Sequence, residues 1–393
     1  MLESFFPNQP SRVPATATHG VVRSRWSTVL LLAALGLGCG CGSDSDDKDS
    51  ADDKEGVSEP ASGSTTARDG GGRSPADPVM ADKPANDTPG NTNAVCESAN
   101  VEPCMGPFVT TFGGKVELGK YGAKMDYNLG AAFKNQLSIG DNNTICAGFA
   151  AIFGQEQAQT DRLLDTRDLD LSLYTVYRPA KWVDGEKYPI VTWGNGTCAQ
   201  PEGYGALLRY VASHGFVVVA ANSRYASTDN VQRHGLDFMF AANADPASPY
   251  YGRLDTDKVA AMGHSQGGMA TVSAAMDERV KTAILFNGGS NASKPYLTIS
   301  GDRDIGGLTA DTLKAEVDAA PRAAYLFFHM IPGMGNADGH LTLMTQPERV
   351  TGPTVAWLKY ILSNDAESKE WFVGASCKLC GHEAEYEYGQ KGL

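Results

Sequence analysis

The stretch Gly263-His264-Ser265-Gln266-Gly267 sets a serine two residues from a glycine on either side. A serine hydroxyl becomes a nucleophile when a base can take its proton and an acid orients that base. The same spacing also suits a structural serine in a glycine-rich turn, so the partners decide between the two. Two aspartates, Asp302 and Asp304, stand in "GDRDIGG"; further on, His340 stands in "IPGMGNADGHLTL" and His329 in the apolar run "AAYLFFHM". His340 is the better base, because a loop can swing an imidazole over a hydroxyl and an apolar strand cannot. Asp304 is preferred to Asp302 as the acid, since its longer reach clears the strand end. Asp338 reads as a solvated turn residue, and for His214, His234, His264 and His382 surface or packing roles suffice. A tetrahedral intermediate also needs two backbone N–H donors. Gln266, directly after the serine, supplies one, and the turn "GNGT" supplies the other from Asn195 or Gly196.

These residues need strands that end at one edge. "LDLSLYTVYRP" alternates like a half-exposed strand, and "YPIVTWGNGT" is a short apolar run closed by a turn signal. Tyr204, Leu207, Leu208 and Val211 fall on one helical face, and Gly215 can take the left-handed conformation that ends the helix. Then follow the strand "FVVVAA", a helix near Leu236 to Ala242, the strand "KVAAMG", a helix from Gln266, the strands "TAILFN", "PYLTIS" and "AAYLFFHM", and the helix "TVAWLKYIL". Continuous apolar strands alternating with helices predict an α/β fold: a mostly parallel sheet with helices on both faces. Ser265 then occupies a tight turn from strand to helix. Side chains two positions to either side would strike backbone, which Gly263 and Gly267 avoid. The hydroxyl is pushed over the carboxyl edge of the sheet, beside a helix N-terminus that favours developing negative charge.

With "LLRYVASHGFVVVAANSR", "GHSQGG", "GDRD" and "GH" in this order, residues from about 170 to 363 resemble the α/β-hydrolase superfamily. Within it the chain is similar to bacterial cutinase-like, dienelactone hydrolase-like and chlorophyllase-like lipases and polyester hydrolases. The resemblance implies a triad in the chain order Ser265, Asp304, His340, with Gln266 and Asn195 as oxyanion donors. It implies hydrolysis of carboxylic esters through an acyl-serine, with no metal and no organic cofactor. Only "GGSNASK" separates "TAILFN" from "PYLTIS", too short for a cap domain, so the cleft is expected to admit bulky or polymeric acyl esters. At the two places where similar polyester hydrolases carry aromatics, this chain has Asn195 and the run Asn287-Gly288-Gly289. A serine peptidase on the same fold, or a surface binding protein without activity, are the other readings.

Composition shifts sharply near residues 42 and 95. The apolar run "WSTVLLLAALGLG" follows Arg23 and Arg25 and leads into Cys39 and Cys41, so residues 1–39 read as an export signal too short to span a bilayer comfortably. A small-residue run ending in cysteine resembles a bacterial lipoprotein signal, which implies lipidation at Cys39, with Cys41 as the alternate, and anchoring at the periplasmic membrane or cell surface. Plain secretion is the other outcome. Residues 40–95 are Asp, Ser, Gly and Pro with almost no large apolar side chain, a composition that predicts a disordered acidic tether. Residues 96–168 read as an irregular lead-in pinned by cysteines, and residues 169–393 as the catalytic domain. The formal net charge of −13, with no basic stripe, argues against a nucleic-acid partner. A monomer is expected. Six cysteines follow the tether: Cys96, Cys104, Cys146, Cys198, Cys377 and Cys380. Their even number in an exported chain predicts disulfides. "CKLCGH" is spaced wrongly for a c-type haem and lacks a fourth zinc ligand, so a structural bridge is its expected role.

Overall fold

The computed structural model describes residues 104–109, 115–133, 169–224, 230–330 and 339–393. The chain divides into two units, Met1–Asn91 and Thr92–Leu393, and every described residue belongs to the second. The signal segment, the tether, Cys39, Cys41, Cys96, Cys146 and Asp338 lie outside the described residues.

Short apolar runs rich in β-branched residues and bounded by turn signals suit strands covered on both sides. Such runs form β5 (Tyr188–Gly194), β6 (Val217–Ala221), β7 (Leu254–His264), β8 (Val280–Phe286), β9 (Tyr296–Gly301) and β10 (Ala323–Phe328). These six lie parallel to their neighbours in the spatial order β10-β9-β8-β7-β5-β6. Beyond β6 the sheet continues through β4 (Tyr174–Arg178) and β3 (Lys124–Leu129), and beyond β10 it ends in β11 (Tyr386–Lys391). All three added strands pair antiparallel, which makes the sheet mixed. The α/β expectation holds, with these antiparallel edges added.

Helices cover the sheet between strands: α1 (Gly205–Ser213), α2 (Asn230–Ala244), α3 (Gln266–Ala274), α4 (Ala310–Ala319), the short α5 (Thr342–Thr345) and α6 (Glu348–Ser363). α1 stops where Gly215 takes φ 92°. α4, whose Thr309 side chain caps the Thr312 amide, is absent from the sequence reading. Only Leu313 and Val317 of α4 are buried, so its apolar face is too narrow to stand out. The core joins Trp193, Phe286, Met262, Leu326 and Trp357 across the sheet and α6, and the Trp357 indole donates to Thr282 Oγ1 at 2.8 Å.

The lead-in needs correcting over its described part. Residues 107–109 and 115–117 pair as a two-stranded antiparallel sheet, β1 (Pro107–Val109) with β2 (Lys115–Glu117), and β3 is an edge strand of the main sheet. Its anchors are polar and distant in sequence. Asp126 on β3 accepts from Arg178 Nε and from the Tyr250 hydroxyl, both at 2.6 Å. Buried Arg209 of α1 pairs with Glu202 at 3.1 Å and lies over the Phe108 ring, while Glu202 also accepts from Tyr127 and Tyr177. Cys104 and Cys198 are each disulfide-bonded, and Cys377 is bonded to Cys380, the structural bridge expected of "CKLC". Among the described residues no helix is long and apolar enough to cross a membrane, and no cluster of His, Cys, Asp and Glu could hold a metal ion.

Candidate active site

Chain order places β6 on one side of β5 and β7 on the other, so the carboxyl ends of β5 and β7 border the crevice where open α/β sheets bind ligands. Ser265 follows the last residue of β7 and precedes the first of α3. Its backbone stands at φ 53° and ψ −116°, a strained region for any residue but glycine. A side chain on Gly263 would strike the carbonyl of Gly267, and one on Gly267 would strike the carbonyl of Gly194 at the end of β5. The turn therefore closes only because both positions lack a Cβ. The Ser265 amide donates to Phe286 O at 2.8 Å, which ties the turn to the end of β8. Ser265 itself is half-buried.

Asp304 lies on the loop after β9, and His340 lies after the next strand, β10, 36 residues on in the chain but adjacent in space. A bridge between Arg303 and Gly339 sets the two loops in parallel register, so the next residue on each, Asp304 and His340, meet. His340 Nδ1 donates to Asp304 Oδ1 at 2.6 Å. In the neutral ring this leaves Nε2 as the basic nitrogen. The second Asp304 oxygen accepts from the Leu308 amide at 3.3 Å. Asp302 faces elsewhere, accepting from the Met330 amide at 2.8 Å and standing 3.6 Å from His329 Nδ1.

Asn195 is buried with its side chain turned inward: Oδ1 accepts from the Trp193 indole at 2.9 Å, and Nδ2 donates to Ala221 O and Ser223 O. The amide of Gly196, the alternative donor in this turn, is committed to the Tyr204 hydroxyl at 2.9 Å. Gln266 is buried at the first position of α3. Glycine backbone packs directly on the serine, since a Cβ on Gly288 would strike Ser265 O.

Two residues named in the sequence reading make contacts at this site that it did not foresee. Asn287, at φ 51°, donates from one amide nitrogen toward Gly339 O at 3.1 Å, Ser300 Oγ at 3.2 Å and Asp304 Oδ1 at 3.4 Å. His264 is buried, as the packing alternative has it, and is hydrogen-bonded as well. It is 3% exposed, its Nε2 lies 2.7 Å from His340 O and its Nδ1 lies 3.0 Å from the Tyr204 hydroxyl. Burial, and then the neighbouring His340, holds its imidazole well below the usual histidine range, against the carbonyl contact that favours the proton. Its position beside the serine was visible, but nothing local signals a partner 76 residues away.

Residues 175–387 match the family model described as PET hydrolase-like. Over 226 residues the chain is 26% identical to Cutinase 2 of Thermobifida cellulosilytica, an alignment covering 54% of this chain and 82% of that protein. It is likewise 26% identical to Cutinase cut1 of Thermobifida fusca, over 54% of this chain and 67% of that protein. The family match runs from the second residue of β4 into β11 and takes in Ser265, Asp304 and His340. With more than half of its length so matched on a mixed sheet flanked by helices, the chain belongs to the PET hydrolase-like family, among the cutinase-like and polyester hydrolase-like α/β-hydrolases.

Proposed function

We propose that the protein is an exported serine carboxylic-ester hydrolase that acts on bulky or polymeric acyl esters through an acyl-serine. The observation that carries the reading is the 2.6 Å hydrogen bond from His340 Nδ1 to Asp304, at the strand ends that also present Ser265. Ser265 Oγ attacks the ester carbonyl while His340 Nε2 takes its proton, and Asp304 holds the ring in the tautomer that leaves Nε2 basic. The backbone N–H groups of Gln266 and Asn195 receive the oxyanion, helped by the positive end of α3. His340 then returns the proton to the leaving alcohol, and water repeats the cycle on the acyl-serine. The likeness to proteins named cutinases supports esters, including polyesters, as the substrate class. The nine-residue connection from Asn287 to Pro295 supports a cleft without a cap domain. The signal-like segment supports export, with a lipid anchor at Cys39.

The test is Ser265→Ala in the full chain. Turnover of short p-nitrophenyl esters should fall by about a thousandfold or more, with an unchanged melting curve, and a fluorophosphonate probe should label the wild type at Ser265 and spare the variant. Equal turnover by the variant would remove Ser265 from the mechanism. An unlabelled, inactive wild type would favour a binding protein that keeps the fold.

A further inference from the structure

Resting on the reading above, we infer that Tyr204 and His264 are positioning residues that lock the turn after β5 to the His340 loop through one directed hydrogen-bond chain, and that turnover depends on it. The direction follows from the two ends. A carbonyl only accepts, so His264 Nε2 donates to His340 O across 2.7 Å. The neutral ring then carries its lone pair on Nδ1, which accepts from the Tyr204 hydroxyl at 3.0 Å. The phenol oxygen in turn accepts from the Gly196 N–H at 2.9 Å.

Both side chains are buried, with Tyr204 1% and His264 3% exposed, so each lost partner leaves a polar atom away from water. The low proton affinity of His264 keeps the neutral form that the chain requires, and burial raises Tyr204 so that its hydroxyl keeps its proton. Gly196 leaves the space that the chain occupies: a Cβ there would come within 2.7 Å of His264 Nδ1 and 2.9 Å of the Tyr204 oxygen. The rings add to the grip, with the His264 and His340 centroids 4.7 Å apart at 53°. The chain thus sets two things at once. It commits the Gly196 amide, so that the oxyanion donor of this turn is the neighbouring Asn195 amide, and it fixes the backbone from which the His340 ring projects.

The experiment compares Tyr204→Phe, His264→Phe, His264→Gln and the double variant Tyr204→Phe/His264→Phe with the wild type and Ser265→Ala, in the full chain, on a soluble p-nitrophenyl ester. Each phenylalanine variant should lose about ten- to a hundredfold in kcat with KM within about twofold, because ring position rather than substrate binding is disturbed. The double variant should lose no more than the worse single one, as members of one chain do. His264→Gln keeps a donor and an acceptor and should recover most of the loss. Thermal melts of every variant separate lost position from lost fold. If His264→Phe does not fold, Tyr204→Phe, which removes a single oxygen, carries the test. Folded variants with wild-type kcat, or losses that multiply in the double variant, overturn the inference. A wild type that neither hydrolyses the ester nor takes a fluorophosphonate at Ser265 overturns the hydrolase reading as well.

Discussion

At Ser265 the chain is held by backbone against backbone, whereas at His340 side chains reaching backbone are added to one such contact, that of Gly339 with Arg303. Gly263, Gly267 and Gly288 let the β7–α3 turn, the end of β5 and the loop after β8 approach so closely that a single Cβ on any of them would strike a carbonyl. His340 instead follows a loop gripped by Asn287 at Gly339 O, by His264 at its own carbonyl, and by Thr342 Oγ1, which accepts from the Gly339 amide at 2.8 Å. Hard contacts of the first kind are all-or-none, because backbone cannot move aside as a flexible side chain can. Hydrogen bonds of the second kind are graded, each contributing about 1 kcal/mol net and costing more when one partner is stranded.

The largest expected effect tests the steric side. Gly267→Ala drives a methyl into Gly194 O and toward Asn195 O, and should cost about 3 kcal/mol or more, lower Tm by on the order of 10 °C and reduce ester turnover at least a hundredfold or so. Calorimetry and p-nitrophenyl ester kinetics read both, and a fully active, equally stable variant would break the contrast. A middle effect tests the polar side. Asn287→Gly keeps the positive φ but removes the amide that reaches Gly339, Ser300 and Asp304. It should cost about 1–3 kcal/mol in denaturant unfolding and lower kcat about tenfold; a loss as complete as that of Gly267→Ala would show the polar side to be just as brittle.

The smallest effect sharpens the comparison through pH. Glu316 on α4 hydrogen-bonds Ser290, in the same loop that carries Asn287, and burial pushes its carboxyl up to about 7 despite that bond. Its Oε2 makes no hydrogen bond among the described residues. The folded state therefore holds a proton that the unfolded chain releases at its lower value, near 4.5. Stability from this group is present at about pH 4.5 and declines as the pH rises toward 7, then levels. Glu316→Gln should flatten that decline, raising Tm by a few degrees at about pH 8 and leaving it unchanged at about pH 5. Equal pH dependence in both proteins would detach Glu316 from the loop's stability.

Much of the site was legible because its signals are local. Gly263 and Gly267 report a collision within five residues, and the apolar runs of β5 to β10 report burial on both faces. The edges were not. β3 alternates as Lys124-Met125-Asp126-Tyr127-Asn128-Leu129 but stands apart from the apolar runs, and β11 sets Glu387 and Lys391 among its tyrosines, because an edge strand with a half-wet face tolerates charge. What holds β3 is the pairing of Asp126 with Arg178 and Tyr250, which no window of sequence contains.

The sequence by itself determined the order of the central strands and of most helices between them, the tight turn that presents Ser265, and the loops from which an acid and a base could come, since periodicity and steric exclusion act over a few residues. Only the tertiary structure decided which aspartate meets His340, through the register of Arg303 with Gly339, and only there did His264, Tyr204 and Asn287 enter the site. Each of those choices is a hydrogen bond between segments far apart in the chain, and its direction and distance exist only once the sheet has set the loops side by side.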